Sequence, residues 1–245
     1  MLVAYALLGI GGLLTLLLPS RRNHTFSRSG PEWAIDLISL GVHFFAIPVA
    51  TGWVIYLFRK VLVPEYEGIL DPSPLVGVLG GLLFTDYLWY WNHRAFHAPT
   101  RFWNLHEVHH NSRVFDIFMS ARNSVASPLF FVYMWAIAVG TIVLKDPSCL
   151  VTAAAIALVI NFWGHTDFAP RPGSRPHRVL AWVLITPHEH AWHHSSDDNN
   201  RNFATVFSFW DRLHGTYYSP AQKPASYGFV SQFPYWKQVV FPFFA

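Results

Sequence analysis

Apolar residues gather in five stretches, Leu2–Leu18, Ala34–Phe58, Leu75–Trp91, Pro128–Leu144 and Cys149–Trp163, with polar residues between them. A hydrocarbon core takes about 20 mostly apolar residues as helix. All five therefore qualify or nearly do. The last three are short and imply tilting, local thinning or a paired hairpin that crosses only in part. Lys145-Asp146-Pro147-Ser148 is the tight connector between the fourth and fifth. The pattern predicts an all-α fold of four to five membrane spans with the polar segments capping one end.

Composition agrees. Of 245 residues, 52% are hydrophobic and only 13% charged, against roughly 25% charged in a soluble domain, and the mean hydropathy is +0.26. Eleven Trp and ten Tyr suit the headgroup level, where an apolar ring keeps a polar edge wet. The net charge of +3 comes without a basic run, so the electrostatic footprint of a nucleic-acid binder is missing. The single cysteine, Cys149, excludes an intrachain disulfide framework and a self-contained four-cysteine cluster.

Arg21 and Arg22 follow the first stretch and no basic residue precedes it, which fits a retained helix with its N-terminus outside rather than a cleaved signal peptide. Five spans then place 19–33, 92–127 and 164–245 in the cytoplasm. Fourteen of the seventeen Lys and Arg fall there, as the positive-inside rule requires. The same assignment puts thirteen of the fourteen histidines on that side, leaving only His43 in a span. The chain reads as one membrane domain, 1–245, with N-terminal spans over 1–75, a histidine-bearing region over 76–218 and a tail over 219–245.

The histidines have a spacing. His93 and His97 are four apart, on one helical face. His106, His109 and His110 form an H-x-x-H-H, repeated by His190, His193 and His194; offsets of three and four again share a face. His165 stands just beyond the fifth stretch. Eight or nine imidazoles exceed what one ion uses and suit two. Imidazole serves iron, copper, zinc and nickel alike, so the ligands alone do not name the metal. Glu107 and Glu189, beside ligands, point away if the histidines face inward.

In order and spacing these boxes resemble the fatty acid hydroxylase, or sterol desaturase, superfamily of membrane di-iron oxygenases. The likeness extends to Asp86-Tyr87 and Tyr90-Trp91-Asn92 before the first box. It also takes in Thr186-Pro187 before the third box and Phe209-Trp210-Asp211-Arg212-Leu213-His214-Gly215-Thr216 after it, and so covers roughly residues 80–218. It departs at Glu189, where many members carry His, with His188 one residue earlier, at His214, where an aromatic is common, and across Met119–Asn123. The resemblance implies two iron ions, replaceable by zinc in a purified form, held by His93, His97, His106, His109, His110, His165, His190, His193 and His194. It further implies O2-dependent hydroxylation or desaturation of a lipid C–H bond. No nucleotide fingerprint or cysteine cluster is present, so an external electron donor is expected: a ferredoxin, a small haem carrier or a flavin reductase.

Other residues carry lesser expectations. Asp86, two helical turns before His93, is expected to orient a ligand imidazole through its N–H. His188 is either a tenth ligand or a surface residue. Asp211 and Arg212 are expected to pair, and His24, His43 and His177 to be isolated. Gly77, Gly80 and Gly81 permit close helix approach or shape a groove. Three rivals remain: a di-zinc membrane hydrolase, a histidine-rich metal-binding or transport protein, and a bis-histidine haem protein. A transporter would hold its histidines at mid-bilayer, and a haem protein has no use for adjacent pairs such as His109-His110.

Overall fold

Local chemistry sets where the helices begin. The computed structural model describes residues 2–61, 64–98 and 101–240. An apolar helix α1, Leu2–Leu17, is followed by the short α2, Pro19–Thr25. Ser29 and Glu32 then form a capping box, Glu32 Oε2 accepting the Ser29 N–H at 2.9 Å, and start α3, Gly30–Gly41. A single π turn, Val42–Ala46, carries α3 without a break into α4, Ile47–Val61. Ser73-Pro74 opens α5, Pro74–Phe96, and α6, Arg101–His110, follows it.

The expected fourth stretch is broken. Pro128 lies in a short 3-10 turn, Ser127–Phe130, and Phe131 is extended, so the helix α7 covers only Val132–Val143. Its neighbour α8, Ser148–Gly164, completes a hairpin. The remaining helices are short: α9 Arg175–Val183, α10 Pro187–His193, α11 Ser208–Leu213 and α12 Tyr235–Val240. Among the described residues there is no strand beyond isolated bridges such as Leu184 with Phe207.

Length separates the five expected spans. The rod Gly30–Lys60 is the one helix among the described residues long and apolar enough to cross a membrane by length and composition. Helices α1, α7 and α8, at 16, 12 and 17 residues, reach about 24, 18 and 26 Å at about 1.5 Å per residue. The 23 residues of α5 are long enough, but Asp86, Asn92, His93 and Arg94 dilute its hydropathy.

Helix α5 packs on α8 and α7, and α4 on α7. Gly77 and Gly81 allow the α5–α8 approach: a Cβ on Gly77 would meet Cys149 Sγ at 2.7 Å, and one on Gly81 would meet Leu150 at 2.8 Å. Gly80 faces open space. The outward faces stay apolar, with Leu37, Ile38, Phe45 and Trp53 exposed on the long rod and Leu75, Val76, Leu79 and Phe84 on α5. The ends of α5 and α8 meet α6 and α10 in a buried polar centre.

Candidate metal centre

Four chain segments deliver histidines to one place. His93 and His97 end α5, His106, His109 and His110 lie on α6, His165 caps α8, and His190, His193 and His194 lie on α10 or cap it. All nine are buried. They fall into two groups, each with one nitrogen per residue mutually within 4.8 Å: His93, His97, His106, His110 and His193, and His109, His165, His190 and His194.

The division follows from helix geometry. Residues four apart are rotated by about 40°, and adjacent residues by about 100°. Each pair four apart (His93/His97, His106/His110, His190/His194) stays within one group. The middle histidine of each H-x-x-H-H turns aside and joins the other group: His109 leaves the first and His193 leaves the second. The two triplets thereby lace the groups together. His110 and His194 stack at 4.4 Å between ring centroids, and His109 lies 4.6 Å from His194.

Four rings are locked from behind. Nδ1–H donates to a backbone carbonyl from His93 to Phe203 at 2.7 Å, His109 to Arg122 at 3.0 Å, His165 to Asn161 at 2.8 Å and His193 to Arg201 at 2.7 Å. A carbonyl only accepts, so Nδ1 carries the hydrogen and Nε2 presents a lone pair inward. Burial holds the rings neutral: His93 and His165 are pushed down to about 4, and the other seven well below their ordinary value. Crowding among the rings adds to this.

The donor set fits a pair of cations. His93 and His106 bring their Nε2 atoms to 3.0 Å, as do His165 and His190. Both nitrogens of His97, and Nε2 of His193 and His194, are buried with no hydrogen-bond partner. Buried polar atoms are rarely left so, because each forfeits its hydration. A borderline cation such as iron or zinc would satisfy several at once.

The supports include residues that the motifs do not mark. Asp86 accepts the N–H of Val206 at 3.0 Å and of Phe207 at 2.9 Å, not an imidazole as expected. Two backbone amides in register with its two oxygens outcompete a ring further along the helix. Asp211 likewise takes the N–H of Phe203 and Ala204, at 2.7 and 3.0 Å, and does not pair with Arg212; Arg212 instead lies 3.5 Å over the Tyr217 ring. The two carboxylates clamp the segment whose carbonyls orient His93 and His193. Asn202, at φ +53°, holds the same segment through the carbonyls of Glu189 and Tyr218.

His188 lies outside both groups, its Nε2–H donating to the Pro220 carbonyl at 2.7 Å. Glu189 points away from the cluster, as does Glu107, which accepts from Ser231. Glu189 is instead a buried hub for Thr186, Ser219, Tyr217 and His177, whose Nε2 lies 3.1 Å away. His177 is therefore not isolated. Behind His109, Arg122 is fully buried and bonds Asp36 at 2.5 Å, while Arg28 joins Asp36 at 2.9 Å and Asp116 at 2.5 Å. Asp36 stands inside an apolar stretch, where a carboxylate is costly without a partner. That was the available signal for this network.

Residues 78–216 match the family model for fatty acid hydroxylase. The chain belongs to the fatty acid hydroxylase family. Among curated relatives of this family member, the alkylglycerol monooxygenase of Xenopus tropicalis is 29% identical over 149 residues, 60% of this chain and 31% of the relative. The very-long-chain aldehyde decarbonylase of Arabidopsis thaliana is 26% identical over 207 residues, 78% of this chain and 32% of the relative. The ornithine lipid hydroxylase of Rhizobium tropici is 27% identical over 151 residues, 61% and 44% respectively. The chain thus spans about a third to under half the length of these relatives. No solved structure matches the chain.

Proposed function

We propose that this chain is a multi-pass membrane oxidoreductase that hydroxylates or desaturates a lipid C–H bond with O2 at two histidine-bound irons. The observation that carries the reading is the pair of buried imidazole groups in ring contact, built from the ends of α5, α6, α8 and α10. Names of relatives support a lipid substrate: an alkylglycerol monooxygenase and an ornithine lipid hydroxylase each act on a lipid.

In this reading His93, His97, His106, His110 and His193 hold one iron, and His109, His165, His190 and His194 the other. Bound iron supplies the O2-dependent oxidation of an unactivated carbon. The chain supplies position. The four backbone carbonyls fix ring tautomers, the carboxylates of Asp86 and Asp211 hold the segment that carries two of those carbonyls, and Phe115 and Phe203 wall the cluster from water. Phe115 stacks on His165 at 5.7 Å, and Phe203 lies 5.2 Å from His97.

Exposed apolar faces on the Gly30–Lys60 rod and on α5 support a single domain, 1–245, in which both cross the bilayer. Helices α1, α7 and α8 are proposed to add tilted or partial spans, and the Lys and Arg distribution favours a cytoplasmic centre. An external one-electron donor (ferredoxin, small haem carrier or flavin reductase) and the membrane complete the partners.

The test is metal analysis of the detergent-purified protein with O2 uptake and lipid product analysis. Two irons per chain, O2 consumption on reduction and an oxidised lipid are expected. Zinc with anaerobic turnover would replace the reading by a hydrolase. Lipid profiles of a deletion strain against wild type would name the substrate.

A further inference from the structure

Helix α9 presents a largely exposed face, with the Arg212 guanidinium lying 4.7 Å over its Trp182 ring. Arg175, Arg178, Val179, Trp182 and Val183 recur at i, i+3, i+4, i+7 and i+8, one helical face. All five are exposed, the last three at 63%, 67% and 52%, and Leu213 on the adjoining α11 is 68% exposed. The opposite face is fixed to the protein. Ala181 and His177 are buried, and the Ala181 carbonyl accepts from Ser208 Oγ at 2.7 Å. The exposed face is graded along the helix, arginine at its start and Trp-Val at its end.

Depth along α5 gives the face its occupant. The chain leaving α9 pairs at once with the descending segment, Leu184 bridging Phe207 and the Ile185 N–H reaching the Val206 carbonyl at 2.9 Å. Val206 and Phe207 are held by Asp86, and Leu184 packs with Leu82 of α5 and Ala153 of α8. Asp86 and Leu82 lie seven and eleven residues before His93, about 10 and 16 Å down the helix. The apolar end of α9 therefore sits beside the section of α5 proposed to be in lipid. Its charged end carries His177, which meets Glu189 of the third histidine box at 3.1 Å. Arg171, Arg175 and Arg178 are exposed, take part in no ion pair among the described residues, and lie in a segment, 168–188, without Asp or Glu.

We propose that α9, with Leu213, is an obliquely inserted membrane anchor. Val179, Trp182, Val183 and Leu213 enter the acyl boundary, and Arg171, Arg175 and Arg178 hold the phosphates of anionic lipids. The proposal rests on the membrane placement of α5 given above. It changes the expected topology: residues 164–245 include a stretch that lies in the interface. The buried contact between His177 and Glu189 ties this anchor to the third histidine box.

The test uses the full chain in vesicles of phosphatidylglycerol and phosphatidylcholine. Cys149 is the one cysteine, so a Cys149→Ala background accepts a nitroxide at Val179→Cys, Val183→Cys or, as a control, the exposed Asp197→Cys. Collision with O2, which partitions into lipid, is compared with a water-soluble nickel chelate. The labels at 179 and 183 should favour O2, 183 the more, and the label at 197 should favour nickel. Labels at 179 and 183 that favour nickel, or that are shielded from both reagents by a second protein surface, overturn the proposal. Changing all three arginines to Gln should reduce the preference for spin-labelled phosphatidylglycerol roughly fivefold per arginine; an unchanged preference overturns the phosphate contacts. Neither readout uses iron or turnover. A chain that lacks both but shows these depths keeps the anchor and loses only the proposed lipid-oxidising function.

Discussion

Asn202 occupies the left-handed region at φ +53°, which costs a side chain other than Gly, Asn or Asp roughly 1 kcal/mol or more. Its amide also bridges the carbonyls of Glu189 and Tyr218 and accepts the Tyr218 N–H. The neighbouring carbonyls of Arg201 and Phe203 orient His193 and His93, both in the five-histidine group. Asn202→Ala should therefore weaken one metal site and spare the other, with the content falling toward one ion per chain. A loss of roughly 10 to 100-fold in affinity is usual when a ligand's supporting bond goes. Asn202→Gly keeps the backbone angle and separates strain from the missing hydrogen bonds; equal, full occupancy in both variants would show that neither matters. His188 gives the contrasting case. Its Nε2–H is committed to Pro220, so His188→Ala should keep two ions per chain where His193→Ala loses one. A metal deficit in His188→Ala would make it a ligand after all.

At the element scale the α5–α8 contact turns on two glycines that the sequence marks no differently from a third. Gly77→Leu should lower the melting temperature sharply, since its Cβ would stand 2.7 Å from Cys149 Sγ and 2.9 Å from Cys149 Cβ; overpacking of this kind costs about 1–3 kcal/mol. Gly80→Ala meets nothing within 4 Å and removes a residue that helices disfavour, so its melting temperature should hold or rise. Parallel losses in the two variants would mean that α5 and α8 do not approach as described. The sequence could not rank these glycines, because their rotation about α5 depends on where α8 lies. What it did carry was local. His93 and His97, or His106 and His110, share a face by spacing alone, and their helices were legible for that reason. The outward turn of His109 and His193 is equally implicit in a 100° step, yet it becomes a division between two groups only once α6 and α10 face each other. Span lengths were less legible. Pro128 ended an apolar run that hydropathy alone treats as continuous. Asp36 and Arg122 lie 86 positions apart, and nothing along the chain announces that pair except the cost of a lone carboxylate among apolar neighbours.

The whole molecule folds around nine neutral imidazoles, and this ties its stability to pH and metal together. His93 and His165 are held at about 4, whereas in an unfolded chain histidine titrates near 6.5. Between those values the unfolded chain binds protons that the folded chain refuses. Stability therefore falls as pH drops from about 6.5 toward about 4, and the other seven rings push the same way. Asp211 opposes them. Burial raises it to about 6 from an ordinary value near 3.9, so its contribution is fully present below the lower value and fades as pH rises through the higher one. Burial raises Glu107 as well, and a few such carboxyls against nine imidazoles leave the net slope set by histidine. Bound cations add their own binding free energy to the folded state. Chelation should thus lower the melting temperature already at pH 7.5, and the metal-free chain should lose more again at pH 5. The slope has an assignable source: His93→Ala with His165→Ala removes two of the titrating rings and should flatten it. A metal-free chain equally stable at pH 7.5 and 5 would mean that the imidazoles are not buried together in solution, and the proposed two-iron site would have no physical basis.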